Sequence, residues 1–183
     1  MRIEHLPIVK AEMLIRKPSV EVFEAFVDPA ITSKFWFTKG SGRLDSGQPI
    51  RWDWEMFGVS VEVSVKAIEA NKRILVEWSS SGGDPTTVEW LLAPQTDDTT
   101  FVTITESGFS GDGDEVVQKA LNAQGGFTLL LSGLKAFLEH NIELNLSADH
   151  APNNIKKNLK NQFFAAYTLS KYAAKFQHRA FDI

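Results

Sequence analysis

The chemistry within reach of this chain rests on one carboxylate and one set of aromatic rings. In Phe101-Val-Thr-Ile-Thr-Glu106, strand alternation puts Val102, Ile104 and Glu106 on one face and Phe101, Thr103 and Thr105 on the other. A carboxylate on an apolar face needs a hydrogen-bonding partner or a raised pKa. Inside a cavity it orients a ligand or serves as an acid/base; at a strand end it pairs with Arg51, Arg43 or a capping amide. The same alternation gives Trp52, Trp54, Trp78 and Trp90 presumed inward positions, joined by Trp36, Phe37 and Phe127. These rings are either ordinary core or the lining of an apolar cavity, since tryptophan is seldom fully buried and its N–H seeks a partner. Leu131 and Leu134, on the helical face that follows Phe127, complete the expected lining. Such a space suits a flat or elongated apolar ligand with a few polar handles.

Other chemistries lack their residues. There are no cysteines, hence no disulfide and no thiolate zinc site. His5, His140, His150 and His178 have no ligand spacing, so no metal or other cofactor is expected. Ser107-Gly-Phe-Ser-Gly-Asp112 does not complete a nucleophile elbow. Asp112-Gly-Asp-Glu115 is too short for a calcium loop and reads as a helix cap. Nothing resembles a phosphate-cradling glycine loop.

The elements that must position these groups are legible by period. Val9–Ile15 alternates as a half-buried strand. Ser19 is placed to cap a short helix reaching Ala25 or Val27, Asp28-Pro29 breaks it, and Ile31–Phe37 reads as a second short helix. Alternating runs follow at 50–56, 59–66, 74–79, 88–92 and 102–106, joined by short turns that imply antiparallel pairing. From about Asp114 to His140, Val116, Ala120, Ala123, Phe127, Leu131, Leu134 and Leu138 recur at helical spacing. Gly125-Gly126 inside that helix costs about 2 kcal/mol against two alanines. A close approach to the sheet, a kink or a helix boundary would explain it. A twisted antiparallel sheet of this size curls and can grip the helix, giving an α+β layer fold of about six or seven strands.

Several strings, in this order, resemble the START-like, birch-pollen-allergen-like helix-grip superfamily. They are Pro18-Ser-Val-Glu-Val-Phe-Glu-Ala-Phe26, Asp28-Pro29, Lys34-Phe-Trp-Phe37, Thr103-Ile-Thr-Glu-Ser-Gly-Phe109 and Gly126-Phe-Thr-Leu-Leu-Leu-Ser-Gly-Leu-Lys-Ala-Phe-Leu138. Within it the match is to the family named for the activator of the ninety-kilodalton heat-shock chaperone ATPase. The resemblance implies the helix-grip fold over residues 8–146. It leaves function among ligand carriers, polyketide cyclases, lipid-transfer domains and chaperone regulators. Phe127 departs from the tryptophan that such proteins often carry there.

Charge divides the chain. Residues 1–146 hold 13 Lys+Arg against 21 Asp+Glu, a net −8, and residues 147–183 hold 6 against 2, a net +4. The acidic body argues against nucleic acid. No window is long and apolar enough for a membrane span or a signal peptide, and a cytoplasmic location is expected. The expected division is a helix-grip domain over 1–146 and a helical extension over 147–183. There Ile155, Leu159, Phe163, Ala166, Leu169 or Ser170, Ala173 and Phe176 form a stripe flanked by lysines, suited to packing on the body or to a homodimer. The leading expectation is a non-enzymatic domain that binds a small apolar or amphipathic ligand between sheet and helix. A co-chaperone-like interaction module and a cyclase- or hydrolase-type enzyme using Glu106 are the alternatives.

Overall fold

In a computed structural model, which describes residues 4–80 and 84–150, the alternating runs pair into one antiparallel sheet. Its strands are β1 (Val9–Ile15), β2 (Lys39–Gly40), β3 (Ile50–Trp54), β4 (Val59–Glu69), β5 (Arg73–Ser80), β6 (Thr86–Thr96) and β7 (Thr99–Ser107), in the order β1-β7-β6-β5-β4-β3-β2. Register shifts at Val65/Ala67 and Pro94/Thr96 break the long ladders, as bulges that bend a curled sheet do. Helices α1 (Ser19–Val27) and α2 (Pro29–Thr32) follow β1, and the 28-residue α3 (Gly113–His140) follows β7. The short α4 (Leu146–Asp149) is the last described element. This is the α+β helix-grip fold expected from the sequence. The elements from β1 to α3 lie in one compact unit, Met1–Ser147. The basic stripe and the expected dimer arm lie outside the described residues.

Register explains which side chains meet. Val9 and Val88 flank Glu106, Ala11 and Trp90 flank Ile104, and Trp78 faces Thr86. All occupy one face of the sheet. That face and α3 bury a common core, in which Leu130, Leu131 and Leu134 are fully enclosed, each contributing roughly 2 kcal/mol by burial. Asp112 caps α3, accepting from the amides of Asp114 and Glu115 at 3.0 Å each, while Glu115 returns a bond to the Asp112 amide. Asn141, at φ 54°, ends the helix in the left-handed conformation.

Side chains of α3 also close the free edge of β1. Gln124 accepts from the Lys10 amide at 3.3 Å, Glu139 accepts from the Arg16 amide at 2.7 Å, and Lys135 donates to the Leu14 carbonyl at 2.7 Å. An unpaired sheet edge is thereby covered without another strand.

Four local expectations change. Ser19 is the first residue of α1 rather than its cap; Pro18 holds the cap position without a side-chain bond. The second helix is Pro29–Thr32, capped by Asp28, and hydrogen-bonded turns rather than helix carry the chain on to Trp36. The reason is local: Asp28 Oδ1 accepts from the Ala30 amide, and Pro29 suits the first helical position. The two-residue β2 was too short to register as a pattern. Gly125 and Gly126 mark neither a boundary nor a close approach: α3 continues through them, both are exposed, and a methyl group at either would meet nothing within 4 Å. The close approach is at Gly133, where a Cβ would stand 2.9 Å from the Phe35 carbonyl oxygen.

Candidate functional site

Glu106 sits near the end of β7, on the face turned toward α3, and is 5% exposed. It does not reach either arginine. Arg51 is taken up by Asp53 and Ser60, and Arg43 by Glu24, Asp45 and Asp28. Instead Glu106 Oε1 accepts from Trp78 Nε1 at 2.8 Å and from Thr86 Oγ1 at 2.5 Å. The Trp78 N–H is shared, with Thr86 Oγ1 at 2.7 Å as its second acceptor. One row across β5, β6 and β7 therefore converges on a single carboxylate oxygen. Among the described residues Glu106 Oε2 has no hydrogen-bond partner, yet it is not sealed: the one fully enclosed side-chain polar atom without a partner among them is Trp90 Nε1. Burial pushes the Glu106 carboxyl above the usual range, and the donations from Thr86 and Trp78 oppose that without cancelling it.

The rings expected to line a cavity contact one another. Trp36 is the hub, with its ring centre 5.0 Å from Trp52, 5.5 Å from Trp54, 5.6 Å from Phe37, 6.0 Å from Trp78 and 6.2 Å from Trp90. Phe127 of α3 lies parallel to Trp78 within 7°, at 6.0 Å. Edge-to-face and offset contacts of this kind add to simple burial. Phe37, Trp52, Trp90, Leu131 and Leu134 have the enclosure of core side chains, whereas Trp54 and Trp78 keep partial access to solvent.

An open depression of about 660 Å³ follows β4 from Glu62 to Ile68. It is bounded by Leu44, Asp45 and Gly47–Pro49 and reaches Trp78, Ser79 and Pro85. Of the ten residues expected to line a cavity, Trp78 alone borders it. Leu44 and Pro49 were missed by sequence reading, because the stretch between Gly40 and Ile50 has no period; Leu44, isolated among polar residues yet buried, was the available signal. Among the described residues no three His, Asp or Glu side chains converge as a metal site would require, and no helix is long and apolar enough to cross a membrane.

The sequence model of the family described as activator of Hsp90 ATPase homolog 1-like protein matches residues 16–139. The chain belongs to this family. A solved structure of a Staphylococcus saprophyticus protein is similar, at 28% identity and a TM-score of 0.62, over 75% of this chain and 96% of that one. The Aha1 dimer from Colwellia psychrerythraea is 20% identical with a TM-score of 0.60, over 73% of this chain and 97% of that one. An HSP90 activator from Plasmodium falciparum is 16% identical with a TM-score of 0.58, over 72% of this chain and 96% of that one. The last two likenesses speak for the fold alone. A comparison with curated proteins gives no match. The matched region runs from the end of β1 to the end of α3 and so contains the whole Trp78–Thr86–Glu106 row, and the fold makes this a START-like domain.

Proposed function

We propose that this START-like domain is a non-catalytic binding module for a small amphipathic ligand held between the sheet and α3. The observation that carries the reading is Glu106: a buried carboxyl on the largely apolar face turned toward α3, with one oxygen held by two donors and the other without a partner among the described residues. Partly accessible Trp78 joins the Glu106 row to the depression along β4, and offers a route for an apolar body whose polar end reaches Glu106. The core rings pack together in the empty protein, so binding displaces one of the accessible ones, Trp54 or Trp78, rather than filling a ready space. The enzymatic alternative has little besides Glu106, whose neighbours Thr86 and Trp78 supply no second acid/base group.

Titration of the full chain with an environment-sensitive apolar dye, followed by dye emission and tryptophan quenching, tests this. Saturable binding that Trp78→Ala weakens supports it; absence of saturable binding by the dye and by a panel of small amphiphiles sinks it.

Family membership favours a second reading, a protein-interaction module acting on a chaperone ATPase. The Plasmodium relative is described as an HSP90 activator. Addition of the full chain to an Hsp90-type ATPase decides this: stimulation that survives Trp78→Ala would place the activity on the outer surface rather than at the ring cluster.

A further inference from the structure

The ligand-binding reading leaves the ligand's polar group open, and the surroundings of Glu106 narrow it. Resting on that reading, we infer that the ligand carries a protonated amine on an aromatic or apolar body, with the amine seated on Glu106 Oε2.

The wall of the sheet that faces α3 lacks a cation. The inward residues of β1, β7, β6, β5 and β4 near this point are Val9, Ala11, Ile104, Val88, Trp90, Val76 and Val63, and α3 presents Val116, Ala120 and Phe127. Among the described residues Glu106 is the one charged residue of the buried core, and burial with the bonds from Thr86 and Trp78 accounts for its surroundings, without a charged neighbour. Cations on β1, β4, β5 and α3 have partners of their own. Lys10 pairs with Glu12, Lys66 with Glu77, Arg73 with Glu89 and Glu69, and Lys119 donates to the Ser110 carbonyl. A buried carboxylate is normally matched by a cation or fully hydrogen-bonded. Here Trp78 and Thr86 meet half of that requirement, and among the described residues no side chain meets the other half.

An ammonium meets both remaining needs. It supplies a donor to Oε2 and neutralises the carboxylate away from bulk water, where a charge-assisted bond is about twice as strong as a neutral one. Trp78, Phe127, Trp54 and Trp36 form one connected ring cluster, joined to the carboxyl through the Trp78 N–H, and a π face of that cluster within reach of the ligand attracts a cation rather than an anion. A carboxylate or phosphate ligand would face Glu106 with like charge and no basic residue. A neutral alcohol would satisfy Oε2 but leave the charge unmatched.

The test uses three probes with one ring system: 2-naphthylmethylamine, 2-naphthylmethanol and 2-naphthoate. Each is titrated against the full chain at neutral pH with 0.5 M salt (~3–5 Å screening) to suppress attraction to the acidic surface. The expected result is an amine that binds about tenfold or more tighter than the alcohol, with the acid weakest. Glu106→Gln then brings the amine to the alcohol's affinity and leaves the alcohol within about threefold, since glutamine keeps an acceptor for Trp78 and Thr86. Binding of all three alike, or of the acid most tightly, overturns the amine assignment while leaving the cavity reading intact. An amine preference that survives Glu106→Gln places the amine elsewhere and overturns it too. If none of the three binds and the apolar dye also fails, both readings fall. The wild-type series alone decides the order of affinities, should the variant fold poorly.

Discussion

Trp78 Nε1 stands 2.8 Å from Glu106 Oε1 although β6 runs between their strands. The span across two strand spacings, roughly 10 Å, is closed by the length of the two side chains. The indole thereby does two things. Its ring belongs to the aromatic cluster around Trp36 and stacks parallel to Phe127, and its N–H fixes one oxygen of the buried carboxyl. Displacing Trp78 releases a donor from Glu106, so ring packing and carboxyl chemistry are coupled through one residue.

That coupling predicts a pH signature of stability. Burial holds the folded pKa of Glu106 above that of an unfolded glutamate, which is near ~4.3. A raised carboxyl binds its proton more tightly in the folded state, so its contribution is fully present below pH ~4.3 and is lost as pH rises through the folded pKa. Glu106→Gln has no proton to lose. The melting temperature of the variant relative to wild type should therefore rise from pH 4 to pH 8, the other groups titrating alike in both proteins. An unchanged difference across that range, measured by thermal unfolding, would show that Glu106 is not destabilised by its burial.

The three glycines inside α3, beyond its first residue, give a second, opposed prediction. Gly125 and Gly126 are exposed with open space around them, so Gly125→Ala and Gly126→Ala should each stabilise by about 0.5–1 kcal/mol. Gly133→Ala puts a methyl group 2.9 Å from the Phe35 carbonyl and 3.2 Å from its Cβ. It should destabilise by about 1–3 kcal/mol through displacement of the Phe35 turn. Urea unfolding of the three variants checks the sign at each position.

These glycines also show where sequence reading stops. Period gave the strands, the long helix and the inward face of Trp52, Trp78, Trp90 and Glu106, because alternation is a local property that register then preserves. It gave the wrong glycines. Phe127 and Gly133 differ by less than two turns in position, yet what decides the tolerance at Gly133 is the backbone of Phe35, nearly a hundred residues away. The partners of Glu106 were hidden for the same reason. Thr86 adjoins a Gly/Pro loop and carries no signal until β5, β6 and β7 are laid side by side. The inward tryptophans were legible as a set, but whether rings meet each other or a space depends on how far apart sheet and helix settle, and no spacing in the sequence encodes that distance.

The segment bounding the depression yields a third prediction. Arg43 joins Glu24 of α1 and Asp45 by paired bonds and approaches Asp28 at 3.6 Å, but all four side chains are solvated. Leu44 beside it is buried. Leu44→Ala should cost about 2–4 kcal/mol, and Arg43→Ala about 1 kcal/mol or less. A larger loss at Arg43 would mean that the ion-pair network, not the leucine, holds the 44–49 segment against the sheet.

The closure of β1 by α3 is the most exacting test of the fold. Glu139 is 7% exposed at its side chain, accepts from the Arg16 amide at 2.7 Å and from Lys135 at 2.6 Å, and Lys135 reaches the Leu14 carbonyl. Burial alone would raise its pKa, but Lys135 and the Arg16 amide together hold the carboxyl below the usual range. A depressed carboxyl contributes stability above its unfolded pKa and loses it as pH falls through the folded one. Glu139→Ala should therefore lower stability at pH 7 by about 1.5 kcal/mol, a fall in melting temperature of about 3–6 °C for a domain of this size. The gap to wild type should narrow below pH ~4.3. Because the variant also uncovers the Arg16 amide beside a sheet edge, it should associate more than the wild type at high concentration. A variant that loses stability equally at pH 3 and pH 7 would make Glu139 a packing residue, and light scattering unchanged from wild type would mean that Gln124 and Lys135 suffice to keep the edge closed.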